Sequence, residues 1–406
     1  MRKFITLFIT LYIFFVSWTD TLSINDKVPI FMVIGGLIFL AQIIQFLLYP
    51  KIPKDAFNYG DTLIAILLLL ILFSGIIHTN SKTLNYIGTY LFIFLILYFF
   101  LKLSFIKQNS AEYFLRINFY AIVFLCSFLI VEFMLKYLFS INIQDFLPRR
   151  RETTATFLGT FPRSYGFSTE PGVVAYYLTT MGMVAFYYVF EKSRLSKLKK
   201  AAFVLLFLFA EISIYSTTGI TALIVAWITT NILLPIKSDK IRLNKYSLFI
   251  IISIFLLFIF KFNEIFSLFS PIINKLSLIG ASSAIDRRER WLNALNMISD
   301  NPLTGIGIGG LSAQGKPSPI NWYLFLGVET GILTVIVLWG FYIYVLVKML
   351  YSKLNGKKYF LIGFIGATIH LFAISSFQYP FIFLLLIFFF STNYSNKHYE
   401  NSLYNK

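Results

Sequence analysis

The residues best suited to chemistry are arginines gathered in two segments of the chain. Arg149, Arg150, Arg151 and Arg163 stand in the first, and Arg287, Arg288 and Arg290 in the second. A guanidinium presents a planar fork that grips phosphate or carboxylate at two points, whereas lysine acts as a point charge. Clustered arginines therefore point to an anionic ligand, and a phosphorylated one suits the fork best. The rival reading is salt bridging to Asp145, Glu152, Asp286 and Glu289, or contact with anionic lipid headgroups. Glu170 adds a carboxylate directly before Pro171, a residue suited to starting a helix. It can serve as a base or hydroxyl binder, or merely stabilise the helix dipole.

The elements that position these residues are apolar. Only 13% of the 406 residues are charged and 58% are hydrophobic, whereas a soluble domain carries roughly 25% charged residues to face water. The composition predicts an all-α, polytopic transmembrane helical bundle forming one integral membrane domain over residues 1–406. Runs long enough to cross a bilayer fall near 4–19, 28–49, 62–78, 84–106, 115–138, 173–190, 201–215, 218–236, 246–262, 325–347, 359–376 and 378–391, about 12 spans. The first is read as a retained span, because no small-residue cleavage site follows it.

Lysine and arginine in the short connections set the orientation. Arg2, Lys3, Lys51, Lys54, Lys102, Lys107, Arg116, Lys192, Lys200, Lys237, Lys245, Lys348 and Lys358 all fall on one face. That face is expected to be cytoplasmic and to hold both termini of a plasma (inner) membrane protein. The long connections 139–172 and 263–324 are then extracytoplasmic, the second lying between spans 9 and 10. The net charge of +17 is explained by this bias, so no nucleic-acid partner is expected. The lone Cys126 excludes an intramolecular disulfide, and His78, His370 and His398 are scattered. Neither a metal site nor a cofactor is expected.

Within the second long connection, Ser283 and Asp286 suggest a capping box, and Asn301-Pro302 a helix end. At 100° per residue, Trp291, Ala294, Leu295 and Ile298 share one face. Arg287 projects onto that face and Arg288 onto its edge. An arginine there is costly unless it meets a partner or a polar cavity, so Arg287 is the strongest single candidate, with a snorkelling interfacial arginine as the rival. Gly305-Ile306-Gly307-Ile308-Gly309-Gly310 matches GxGxxG in form. Without a preceding strand or a βαβ pattern it is read as a close-packed turn and not a dinucleotide site. Ser216-Thr217-Thr218-Gly219 is read as a tight hairpin turn.

These segments resemble the superfamily of O-antigen polymerases and O-antigen ligases of bacterial envelopes. Arg287 to Gly310 is similar to that family's R-x-x-x-W, apolar helix and N-P-L-x-G-x-G-x-G pattern. Asn321 to Gly331 is similar to its H-N-x-x-L followed by E-x-G, and Arg163 to Pro171 to its R-x-x-G with E-P. The ligases' histidine before the asparagine is Ile320 here, and their arginine in the turn after the seventh span is Thr217 or Thr218. Both departures favour the polymerase branch. The resemblance implies a metal-independent glycosyltransferase. It would pass a growing glycan from undecaprenyl pyrophosphate to a lipid-linked repeat unit, among membrane lipid and with a chain-length regulator protein as a further partner. Arg287, Arg163 and Glu170 are then the expected catalytic residues. Arg288, Arg290, Arg150, Arg151, Asn321 and Tyr323 are the expected substrate binders. An O-antigen ligase is the alternative within the class, and a lipid-linked oligosaccharide flippase the alternative outside it. The flippase is disfavoured because the span interiors read as almost wholly apolar and without repeats.

Overall fold

The computed structural model describes residues 2–19, 21–24, 28–48, 56–108, 110–147, 156–157, 161–237, 282–374 and 379–404. Arg149, Arg150, Arg151 and Glu152, the expected span at 246–262 and the first part of the 263–324 connection lie outside them.

The apolar runs become helices: α1 (Arg2–Phe15), α2 (Ile30–Leu48), α3 (Tyr59–Ile77), α4 (Thr83–Lys107), α5 (Ala111–Phe139), α6 (Pro171–Lys192), α7 (Lys197–Ile214) and α8 (Thr217–Lys237). After the undescribed stretch come α9 (Ser282–Asp300), α10 (Gly310–Ala313), α11 (Trp322–Thr330), α12 (Ile332–Tyr351), α13 (Lys357–His370) and α14 (Phe381–Tyr404). Among the described residues, α2, α3, α4, α5, α6, α8 and α12 are seven helices long and apolar enough to cross a membrane. Apolar side chains on their outward faces, such as Leu47, Leu69 and Ile76, stay exposed, as lipid-facing positions do. Two short antiparallel pairs, Ser23–Ile24 with Val28–Pro29 and Thr156–Phe157 with Phe161–Pro162, correct the all-α expectation in its detail.

The helix α6 is the buried axis. It is the most enclosed of these seven helices, and it packs against α5, α13 and α14. Around it α8 pairs with α13, α3 with α12, and α5 with α7. The expected continuous run 325–347 is instead broken in two. Gly331 takes φ 85° between α11 and α12, with the Leu303 carbonyl pressed where a Cβ would be. The Ile332 amide then donates to Pro302. Only glycine fits that combination of positive φ and close backbone approach.

The interior is less apolar than the sequence suggested. Asp61, Lys102, Glu132, Glu211, Glu329 and His370 are all buried. Lys102 holds Asp61 at 2.7 Å, with the Tyr98 hydroxyl donating to the same carboxylate at 2.9 Å. Single ionisable residues inside long apolar runs escape a hydropathy average; here Asp61 and Lys102 pair with each other, while both carboxylate oxygens of Glu211 lack a partner among the described residues.

Candidate functional site

The loop 161–170 carries two of the expected catalytic residues and is pinned along its length. The Ser164 amide donates to Ser213 on α7, and its hydroxyl to Leu129 on α5, both at 2.9 Å. The buried Glu132 carboxylate on α5 accepts from the Gly166 amide at 2.8 Å, the Tyr165 amide at 3.1 Å and Gln144 Nε2 at 2.7 Å. Phe167 stacks on Trp18 with ring centres 3.9 Å apart, and its carbonyl accepts from the Thr21 hydroxyl. A buried carboxylate saturated by amides is a strong local organiser. Glu132 is thus a site-building residue that the sequence reading missed. The signal available was an ionisable residue inside an apolar run, which marks function by default.

Arg163 enters this loop half-buried, its Nε donating to the Ile214 carbonyl at 3.1 Å where α7 ends. Burial lowers its pKa from the usual arginine range, and the nearby Tyr165 and Tyr215 phenols oppose that. No carboxylate among the described residues pairs with it. The turn it grips is tighter than expected: Tyr215 adopts φ 45°, and α8 already begins at Thr217. At the other end of the loop Glu170 stands exposed before Pro171, and its side chain makes no capping hydrogen bond to α6.

The second segment forms α9 and ends before Asn301-Pro302 as expected. Arg287 is half-buried on the inward face with Trp291, Ala294 and Ile298, while Arg288 is exposed. Leu295 departs from the expected face: it is exposed, because at 100° per residue it sits about 80° round from Arg287. Burial lowers the pKa of Arg287, and the Glu170 carboxylate, then that of Asp286, pulls it back up. The fold therefore brings Glu170 from the first loop into electrostatic range of Arg287 on the second. One turn along the same face, Trp291 Nε1 is shut from solvent with no hydrogen-bond partner among the described residues. A guanidinium and an unused N–H donor thus share one face of α9, and the carboxylate that precedes α6 acts on the guanidinium. Arg290 follows the rival reading instead, pairing with Asp286 at 2.9 Å and donating to the Ser318 carbonyl at 3.2 Å.

Asn321 and Tyr323 have anchoring roles. The buried Asn321 side chain caps α11, accepting from the Tyr323 and Leu324 amides at 3.0 and 3.1 Å. The Tyr323 hydroxyl donates to the Thr368 carbonyl at 2.8 Å, and its ring packs against Trp339 and Phe372. The glycine-rich segment is a close-packed turn. The Ile308 carbonyl accepts from Asn80 and Thr83, the Thr304 carbonyl from Ser74, and the Thr304 hydroxyl meets His78 Nε2 at 2.9 Å. The carboxylate of fully buried Glu329 lies near the Gly309 and Leu311 amides, outside regular hydrogen-bond geometry. The chain's own carboxylate therefore fills the place an anionic ligand would take in such a turn.

Residues 201–339 match the family model described as O-antigen ligase. That segment, about a third of the chain, is similar to the O-antigen ligase/polymerase superfamily. The match takes in α7, α8, α9, the glycine-rich turn and α11, and so contains Arg287, Glu211 and Glu329 but not Arg163 or Glu170. No curated protein matches the chain. Members of this superfamily are glycosyltransferase-like membrane enzymes acting on lipid-linked saccharides, which agrees with the helical, lipid-facing fold.

Proposed function

We propose that this protein polymerises lipid-linked saccharide repeat units at the outer face of the bacterial plasma membrane. In this reading about 12 spans cross the membrane, both termini are cytoplasmic, and 139–172 and 263–324 form the outer loops. The observation that carries it is the electrostatic pull of Glu170 on Arg287 across two distant loops, one helical turn from the unpartnered Trp291 Nε1.

In the reaction an acceptor sugar hydroxyl attacks the donor's anomeric carbon. The bond from that carbon to the pyrophosphate oxygen breaks, and its electron pair leaves with undecaprenyl pyrophosphate. Arg287 would hold the leaving pyrophosphate as its charge grows, with the Trp291 N–H as a second donor, an electrostatic stabilisation in a partly dry site. Glu170 would take the hydroxyl proton late in bond formation. Arg163, fixed on the α7–α8 turn, would complete the cationic wall, and Arg288, exposed on α9, would draw anionic substrate in.

The ligase reading is favoured by the description of the matching family, and polymerase by Ile320 in place of the ligases' histidine. Ile320 has no proton to transfer. The match gives no support to a transporter. The purified protein supplied with a lipid-linked repeat unit alone separates the two reactions. A ladder of products spaced by one unit is expected. Absence of a ladder, with transfer only when a lipid A–core acceptor is added, would establish the ligase instead.

A further inference from the structure

A second polar site lies at the end of the bundle remote from the glycine-rich turn. There the start of α3, the last turns of α4 and α12, and α14 line a cleft of about 230 Å³. The same helices α3, α4 and α12 meet residues 302–308 at their opposite ends, through Ser74, Thr83 and Ile332. The polar lining of the cleft is Asn58, Lys102, Lys348, Asn393 and Tyr394. None of these takes part in the mechanism proposed above.

The lining offers donors and almost no acceptors. An asparagine side chain has one acceptor oxygen and two N–H donors. The Asn58 oxygen is committed to the Gly60 amide at 2.9 Å, and the Asn393 oxygen to the Ser352 hydroxyl at 2.9 Å. Both side chains therefore have only N–H groups left to give. At the buried floor, Lys102 Nζ donates to both Asp61 oxygens at 2.7 Å. That carboxylate also accepts from the Tyr98 hydroxyl at 2.9 Å and the Asn58 amide at 2.6 Å, so its lone pairs are used within the fold. Lys348 stands exposed at the rim, with no carboxylate partner among the described residues. No carboxylate lines the cleft among the described residues. A metal cation would meet two ammonium groups and no free carboxylate there. A neutral sugar would find no acceptor for its hydroxyls except the Tyr394 oxygen. An acceptor-rich anion fits the lining.

Place and size narrow the anion further. The cleft sits where membrane-crossing helices end, at the level of lipid headgroups, and its wall includes the exposed ring of Phe57. Its volume falls below the roughly 300–1,000 Å³ of ordinary small-molecule sites, which suits a headgroup better than a nucleotide or a glycan. The sequence leading into it, Lys51 to Asp55, carries two lysines against one aspartate. Basic pockets between membrane helices on the cytoplasmic side recognise anionic lipid headgroups, and the orientation proposed above turns this end to the cytoplasm.

We propose that this cleft holds the phosphate headgroup of an anionic glycerophospholipid, gripped by Lys348 and the side-chain amides of Asn58 and Asn393. The lipid would tie the ends of α3, α4, α12 and α14 together. The site depends on the proposed orientation for its leaflet and on no part of the transfer reaction.

The experiment titrates the full chain in a neutral detergent with dioctanoyl phosphatidylglycerol, dioctanoyl phosphatidylcholine and inorganic phosphate, and native mass spectrometry reads the bound fraction. Phosphatidylglycerol is expected to bind at least about fivefold more tightly than phosphatidylcholine, the effect of one lysine beside an anionic headgroup. Lys348→Gln is expected to remove that preference. Lys353→Gln, at an exposed lysine outside the cleft, is expected to keep it. Asn393→Asp retains the acceptor for Ser352 but sets a negative charge in the cleft, and should weaken phosphatidylglycerol more than phosphatidylcholine. Melting of each variant without lipid checks that it folds, and the exposed Lys348 position tests the site even if Asn393→Asp does not. Equal affinity for the two lipids, binding of neither, or a preference that survives Lys348→Gln or is lost equally in Lys353→Gln would overturn the site. Inorganic phosphate binding as tightly as phosphatidylglycerol would overturn the lipid as its occupant.

Discussion

Glu132→Gln tests whether the first loop is held in place for chemistry or simply folded. Glutamine keeps the volume and one carbonyl oxygen, but it replaces the other acceptor with an NH₂ facing the same donors. Those donors are the Gly166 amide at 2.8 Å, the Tyr165 amide at 3.1 Å and Gln144 Nε2 at 2.7 Å. A hydrogen bond to a charged group contributes about 1.5–3 kcal/mol. Losing the charge and one or two of these bonds should raise the free energy of the closed loop by about 3 kcal/mol. That corresponds to roughly a hundredfold larger open population. Hydrogen exchange read by mass spectrometry on peptides spanning 161–169 should show the Tyr165 and Gly166 amides exchanging about a hundredfold faster. Surface polysaccharide should shorten in the same variant, because Arg163 and Glu170 ride on this loop. Unchanged exchange would refute the anchoring argument. Faster exchange with full-length polysaccharide would refute the link from the loop to catalysis.

Three further outcomes are expected. Asp61→Asn leaves the buried Lys102 ammonium without its counter-charge and should destabilise the protein by about 3–5 kcal/mol, read as a lower melting temperature in detergent, while Asp61→Asn with Lys102→Met should recover much of it. Gly307→Ala places a Cβ against the His78 carbonyl at φ 90° and should cost about 1–3 kcal/mol, whereas Ala at Gly340, which has open space around it, should be tolerated. Ser312→Cys is exposed and lies on the site-bearing connection, so an impermeant maleimide should label it in intact cells; labelling only after membrane rupture would reverse the proposed orientation. Cys126 is buried and gives a silent background. Ser164 is fully buried and would be a poor reporter for the same purpose.

Much of the scaffold was legible because a membrane helix must be apolar along its whole length, and such runs announce themselves. The α9 helix, its end at Asn301-Pro302 and the inward turn of Arg287 followed from local pattern alone. The break at Gly331 did not, since it depends on the Leu303 carbonyl arriving from another segment. Nor did the anchoring roles of Asn321 and Tyr323, because motif position does not reveal whether a polar atom is already used by a cap or a neighbouring carbonyl. Glu132 and Glu211 were overlooked for a related reason: one acid among twenty apolar residues barely moves a hydropathy window, whereas Glu329 was legible only as part of the E-x-G pattern. Glu211 is the least explained of them, with both carboxylate oxygens buried and unpartnered among the described residues.

The most direct test of the central claim is the length distribution of surface polysaccharide made by Arg287→Lys at matched protein levels. Lysine keeps the charge but loses the two-point fork. Removing one charge-assisted contact used in the transition state should cost on the order of 2–4 kcal/mol, so products should collapse toward single repeat units. A ladder indistinguishable from wild type would make Arg287 an interfacial anchor and contradict its proposed hold on the leaving pyrophosphate.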